Sequence, residues 1–192
     1  MGTRCTSIVV ATLGLAPWFA SANSGDDGWT KVTGPFFSVE MPGKPEKKEI
    51  QQEVQGVGMT KTTSYESQRP GGVQFTVGVT EFPRALIEKS IPGKMLEGSR
   101  DGVVANIGAS LTSDSVVFLD SGMPKKKWPG RTFVATHPAG GVLRQSVFLV
   151  DTFLLQLVYV APKAKDSAAD FEKFVGSLKL SGPNQPTKQA RK

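Results

Sequence analysis

VLRQSVFLVDTFLLQLVYVAP, residues Val142–Pro162, is the segment around which we expect the rest of the chain to fold. It predicts a β-hairpin: an alternating strand, a tight turn near Asp151-Thr152, and an almost wholly apolar second strand from Phe153 to Val160, in which only Gln156 is polar. An apolar run of this length suits a strand that is covered on both faces. It is too short to cross a bilayer as a helix, which needs about 20 apolar residues. We therefore expect layers above and below a sheet.

The amino-terminal residues 1–22 have the pattern of a secretory signal peptide. Arg4 supplies a positive charge, Ile8–Ala20 is a short apolar run, and Ala20-Ser21-Ala22 is a small-x-small cleavage site. The pattern predicts export to the periplasm or the medium, with Asn23 as the first mature residue. The alternative is an amino-terminal membrane anchor, but the run is short for one and no second apolar span follows. We therefore expect no transmembrane span in the mature chain.

Cysteine content and charge exclude several classes of site. The single cysteine, Cys5, precedes the apolar run, whereas a lipid-anchored cysteine would follow it. The mature chain then has no disulfide, thiol nucleophile or thiolate metal site. Without Arg4 the chain has 22 Lys and Arg against 17 Asp and Glu, a net charge of +5. This mildly basic balance does not single out nucleic acid, and we expect no nucleic-acid partner.

Alternating patterns and turn residues place further strands along the chain. Residues 23–35 form a polar lead-in, within which Trp29–Val32 is either a short strand or an edge cover. Strands are predicted at Phe36–Pro42, Lys47–Gln55 (an edge strand), Met59–Gln68, Val73–Phe82, Val116–Asp120 and Arg131–Thr136. Two prolines, two glycines and three consecutive lysines predict a loop over Ser121–Gly130.

Two regions carry helical spacing. Arg84–Gly108 is the first, and Pro92-Gly93 breaks it early. The second follows Pro162, with a cap at Asp166 or Ser167. Its apolar positions stand at i, i+3, i+4 and i+7, namely Phe171, Phe174, Val175 and Leu178. The domain ends at Leu180, and residues 181–192 form a polar basic tail that we expect to be disordered.

Four segments carry a family resemblance: FFSVEMPGKP (residues 36–45), GRTFVAT (130–136), RQSVFLVDTFLLQLVYV (144–160) and ADFEKFVGSLKL (169–180). Together they resemble the PsbP-like α/β/α sandwich family, especially its small exported bacterial members. The resemblance covers residues 36–180, which we take as one PsbP-like domain. Its motifs are structural, so the resemblance is one of fold.

The resemblance implies an α+β fold in which helices cover both faces of an antiparallel sheet. Members are mostly non-catalytic: one branch assists the oxygen-evolving side of photosystem II, and another binds the Ran GTPase in eukaryotes. No residues here match either binding surface, so no site is carried over. Asp151-Thr152 replaces the usual small turn residue of the final hairpin, and Thr is poor at positive φ.

The sharpest surface feature is Lys125-Lys126-Lys127-Trp128 with Arg131 nearby. Three amines beside an indole predict an interaction loop for an anionic lipid surface, a polyanion or an acidic protein patch. The alternative is a solvated loop whose Trp128 packs on the domain.

The other polar residues give no catalytic, cofactor or metal site. His137, the single histidine, lies on a turn without a local carboxylate and is expected to be solvated. Neither Asp26-Asp27 nor Asp114 with Asp120 has the ligand spacing of a calcium loop. The residues Ser110, Ser113 and Ser115 lie near Asp114, but the chain contains no G-x-S-x-G motif.

These patterns predict an exported, soluble, non-enzymatic accessory or interaction domain without a cofactor. Its expected partner is a protein of unknown identity or an anionic surface. The alternative is a small-ligand or lipid-binding protein with a pocket between sheet and helix, in which case a cavity rather than an exposed apolar patch would mark the site.

Overall fold

A computed structural model describes residues 28–54, 58–121 and 126–181 of the chain. Over these residues the architecture is mixed α+β, with two antiparallel sheets and three α-helices. The predicted signal peptide, the Asp26-Asp27 pair, Lys125 and the tail beyond residue 181 lie outside the described residues.

Along the described residues, five strands come first, then two helices, four more strands, a third helix and a final two-residue strand. The strands are β1 (Trp29–Thr33), β2 (Phe37–Pro42), β3 (Glu46–Val54), β4 (Gly58–Arg69), β5 (Val73–Glu81), β6 (Ser110–Asp120), β7 (Lys127–Thr136), β8 (Gly141–Val150), β9 (Phe153–Pro162) and β10 (Lys179–Leu180). The helices are α1 (Arg84–Lys89), α2 (Pro92–Asn106) and α3 (Ala168–Gly176), and a 3₁₀ turn covers Lys163–Lys165. The large sheet has the order β3-β4-β5-β9-β8-β7-β6, and the small one β1-β2-β10.

The predicted hairpin is confirmed as β8 and β9 at the centre of the large sheet. Val150 pairs with Phe153, so Asp151 and Thr152 form a two-residue turn. Asp151 takes the positive φ of 54°, a conformation that Asp tolerates better than Thr. Eight consecutive residues of β9 are buried, as expected for a strand covered on both faces.

Alternate side chains of β9 belong to two separate cores. Leu155, Leu157 and Tyr159 pack with Phe171 and Phe174 of α3 and with the small sheet. The remaining set, Leu154, Val158 and Val160, packs with Met95, Leu96 and Val103 of α2. Because successive side chains of a strand point to opposite faces, the two cores lie on opposite sides of β9.

Helix α3 is held by its predicted cap and apolar face. Ser167 Oγ accepts a hydrogen bond from the Asp170 N–H at 3.1 Å. Phe174 is fully buried, and its ring meets Phe75 edge-on at 5.4 Å. The segment before the helix is tied to the sheet by Tyr159, whose hydroxyl accepts from the Ser167 N–H at 2.9 Å. Burial raises the pKa of Tyr159, although that hydrogen bond opposes the shift.

The structure confirms the short-strand alternative for Trp29–Val32: β1 occupies Trp29–Thr33, where Trp29 packs edge-on against Phe75 at 5.7 Å. Two other predicted boundaries are corrected. Strand β6 begins at Ser110 and not at Val116, because its polar first half also pairs with β7, from Thr136 onward. The predicted loop Ser121–Gly130 is shorter than expected, since β7 begins at Lys127. Gly130 fits within this strand because the Phe148 ring occupies the space that a Cβ would need.

Candidate interaction surface

The described residues of the predicted interaction loop lie where β6 ends and β7 begins. Lys126 and Lys127 are exposed, and Trp128 is partly buried against the core that contains α3. Lys126 Nζ lies 3.7 Å from the centroid of the Trp128 ring. A hydrogen bond from the Ser121 N–H to the Lys126 carbonyl, at 3.1 Å, closes the connection. Trp128 is therefore anchored in the domain, and the two lysines form its charged surface.

Arg131, predicted as part of the same loop, belongs to a different environment. Its Nε lies 3.1 Å from Asp114 of β6, as an ion pair rather than an aligned hydrogen bond, and its guanidinium lies 3.8 Å from Glu97 of α2. Arg100 of α2 also pairs with Asp114. Burial lowers the pKa of Arg100, but hydrogen bonds to Asp101 and Asp114 outweigh this, so that the pKa is raised. Arg131 thus helps to bind α2 to the β6–β7 pair.

Strand β6 forms one edge of the large sheet and carries an exposed apolar pair. Val116 is 64% exposed and Phe118 is 62% exposed. Their cross-strand partners are Arg131 and Pro129, and paired residues share a face of the sheet. Since Arg131 reaches Glu97, Val116 and Phe118 lie on the α2 side, beyond the area that the helix covers. We call residues 113–120 the β6 edge.

The opposite edge of the same sheet is β3, and its side chains are different in kind. Five of its nine residues are charged, in the sequence EKKEIQQEV. Glu49 forms ion pairs with Lys47 at 2.6 Å and Lys61 at 3.1 Å. Hydrogen bonds from both lysines hold the pKa of the Glu49 carboxyl below its usual value. Charged side chains on an edge strand oppose pairing with other chains, so the composition of β3 disfavours edge-to-edge association.

The remaining polar candidates are accounted for within the fold. His137 Nδ1 accepts a hydrogen bond from the Ala139 N–H at 3.0 Å, which stabilises the turn between β7 and β8. Asp114 forms an ion cluster with Arg100 and Arg131, and Asp120 is exposed at the end of β6. The serines Ser110, Ser113 and Ser115 are exposed along β6. Over the described ranges, no group of three His, Cys, Asp or Glu side chains could hold a metal ion.

A small polar group is buried between α2 and the sheet. Gln156 Nε2 donates to Ser99 Oγ at 3.2 Å, and both residues are buried. Gln145, on the adjacent strand β8, is 1% exposed, and among the described residues neither its Nε2 nor its Oε1 has a hydrogen-bond partner. An unpaired buried amide is costly, about 1–3 kcal/mol, so this position calls for a polar contact from a water or a ligand.

Comparisons with known proteins bear on the fold. No protein-family model and no curated protein matches this chain. Among solved structures, the chain is similar to the solution structure of cyanobacterial PsbP (CyanoP) from Synechocystis sp. PCC 6803. The match has 10% sequence identity and a TM-score of 0.54, and covers 84% of this chain and 98% of the other. The sequence-based resemblance is thereby confirmed at the level of fold. No helix in the described ranges is long and apolar enough to cross a membrane.

Proposed function

We propose, taking the PsbP-like fold as the premise, that this protein is a non-enzymatic interaction module that binds a protein partner through the β6 edge. The observation that carries the proposal is the exposed pair Val116 and Phe118 on an edge strand with few charges. Of the eleven residues of β6 only Asp114 and Asp120 are charged, and Asp114 is already engaged by arginines. Exposed apolar groups of this kind are typical of interaction sites.

The energetics favour a partner that covers both side chains. Burying a whole Val or Phe side chain contributes about 1.5–3 kcal/mol, and roughly three fifths of each is still exposed here. Aromatic residues at the centre of an interface often dominate its binding energy. Phe118 is therefore the expected anchor, and Lys126 and Lys127 would lie at the rim.

The proposal includes two expectations from the sequence. The protein would be exported, because residues 1–22 have the signal-peptide pattern. Its layers would follow the α/β/α arrangement, and the placement of α2 and α3 in the two different cores supports this. Mass spectrometry of the native protein should find Asn23 as the first residue. Retention of residues 1–22 would contradict export.

Affinity capture with matched variants tests the proposed surface. The tagged mature protein is exposed to the envelope or medium fraction of its own source, beside Val116→Ser/Phe118→Ser and the control Ile50→Ser/Met59→Ser. The control residues are also exposed, at 46% and 62%, but lie at the β3 end of the sheet. We expect the β6 variant to lose its partner and the control to retain it. Equal capture by all three proteins would contradict the proposal.

A second candidate function, ligand binding between α2 and the sheet, rests on Gln145. Its unpaired buried amide would be satisfied by a small polar molecule. Native mass spectrometry of the protein purified from its own source would then show an added mass that Gln145→Leu loses. If the protein carries no added mass and Gln145→Leu melts at a higher temperature, the amide is a structural imperfection rather than a ligand contact.

A further inference from the structure

We infer that the partner supplies an extended segment that pairs antiparallel with β6 and becomes an eighth strand of the seven-stranded sheet. The segment would place apolar side chains beside Val116 and Phe118. Its acidic side chains would come before these, past Asp120, within reach of the long side chains of Lys126 and Lys127. This inference rests on the proposed function, because it names how the same edge is used.

The backbone of β6 is open for such pairing. Within the described residues β6 pairs with β7 alone, so one of its two sides has no strand beside it. The register with β7 shifts between Leu111 and Ser113 and is regular from Ser113 to Asp120. Alternate residues of an antiparallel strand direct their N–H and C=O groups to each side, so about four of these eight residues face outward. Such a row of unpaired groups is the template that strand addition uses.

The ion cluster of Arg100, Asp114 and Arg131 holds this part of β6 in place before a partner binds. Asp114 lies in the regular part of β6, and Arg100 of α2 and Arg131 of β7 both reach it. The side chains of Arg100, Asp114 and Arg131 are 14–17% exposed, so the cluster is largely shielded from water. A strand held from two directions loses little conformational freedom when another strand pairs with it, and binding is correspondingly favoured.

The side chains of β6 select the apolar character of the segment. Residues directly across from each other on neighbouring strands lie on the same face and contact one another. A segment paired outside β6 would therefore place every second side chain beside Val116 and Phe118. Val117 and Leu119 point to the other face, where they pack against the core near Trp128. Alternating apolar and polar residues in the segment match this arrangement.

The charges at the end of β6 select acidic residues and orient the segment. Lys126 and Lys127 are exposed where β7 begins, and Asp120 pairs with Lys127 across the strands. These three residues leave one net positive charge at this corner. An antiparallel segment would enter here. Its acidic residues would stand before the position opposite Asp120, because a carboxylate directly across from Asp120 would be repelled. They would therefore precede the apolar residues and be reached by Lys126 and Lys127 past the end of β6. The attraction is a surface effect and should weaken as salt rises.

A synthetic peptide of about nine residues tests this mode, since that length matches an ordinary strand. It carries two glutamates followed by alternating valine and threonine, and a matched peptide carries lysines instead of the glutamates. Amide hydrogen exchange is followed by NMR on the whole mature protein. With the acidic peptide at ten times its dissociation constant, the outward-facing β6 amides should exchange about tenfold more slowly. The lysine peptide should bind about threefold to tenfold more weakly at low salt.

Three outcomes would overturn the proposed segment. The first is unchanged amide exchange in β6 with either peptide. The second is equal protection of β3. The third is a dimer in sedimentation that Val116→Ser/Phe118→Ser dissociates, since the occupant of the edge would then be a second copy of this chain. If capture of the partner depends on Val116 and Phe118 but the peptide does not protect the β6 amides, strand addition is refuted and the proposed surface stands. If capture does not depend on these residues and the peptide gives no protection, the proposed surface is refuted as well.

Discussion

The two edge strands of the large sheet differ in the charge of the side chains that surround their exposed backbone groups. Strand β3 carries five charges among nine residues, whereas β6 has two among eleven and presents Val116 and Phe118 to solvent. Both edges expose backbone groups that could pair with another chain. The charges of β3 oppose association with another chain, and we propose that β6, which has fewer charges, is the edge that binds one. Paired substitutions at matched positions distinguish these two roles.

The largest expected effect is on the free energy of unfolding, and it distinguishes the buried Phe174 from the exposed Phe118. Phe174→Ala should lower the free energy of unfolding by about 3–5 kcal/mol, because its side chain is fully buried in the α3 core. Phe118→Ala should change it by about 0.5 kcal/mol or less, as for other surface substitutions. Urea denaturation of both variants measures this. A large loss of stability for Phe118→Ala would show that the residue supports the fold rather than a partner.

The next effect compares a carboxylate beneath the β6 edge with one on β3. Asp114→Ala leaves Arg100 and Arg131 close together without their shared anion and should cost about 1–3 kcal/mol. Glu49→Ala removes an exposed ion-pair partner and should cost about 0–1 kcal/mol. Thermal melts of the two variants measure the difference. Equal melting temperatures would mean that the ion cluster does not hold β6.

The smallest effect concerns an anionic surface rather than stability. Lys126→Gln/Lys127→Gln should weaken co-sedimentation with anionic vesicles, at about 1 kcal/mol for each lysine near the surface. The effect should fade as salt rises. Lys47→Gln/Lys48→Gln, on β3, is the matched control and should bind like the wild type. No salt-dependent binding by the wild type would leave Lys126 and Lys127 as solvated residues at the rim.

Much of the fold follows from local sequence patterns. The run from Phe153 to Val160 predicts a strand covered on both faces, and the spacing of Phe171 and Phe174 predicts the buried face of α3. Both predictions are confirmed, because side-chain periodicity follows directly from strand and helix geometry. Local patterns do not predict the third strand of the small sheet, since β10 has only two residues and forms through pairing with the distant β2.

The candidate surface depended on strand order, which local patterns do not contain. Residues 116–119, VVFL, have the composition of an interior strand, yet β6 lies at the edge and exposes two of them. Arg131 stands near three lysines in the sequence, and this proximity predicts a shared loop. Strand alternation instead directs Arg131 toward α2 and Asp114. The lack of Lys, Arg and Pro within β6 is the sequence feature that indicates an edge strand open to pairing.

Photo-crosslinking from the two edges shows directly whether β6 or β3 contacts a partner protein. A photoreactive phenylalanine analogue replaces Phe118 in one protein and Ile50 in another, and both are irradiated in the native envelope or medium fraction. Both positions are exposed, so the fold should tolerate the analogue at either. We predict a discrete covalent adduct with a partner protein from position 118 and none from position 50. Adducts from position 50 alone, or the same adducts from both positions, would contradict the assignment of β6 as the binding edge.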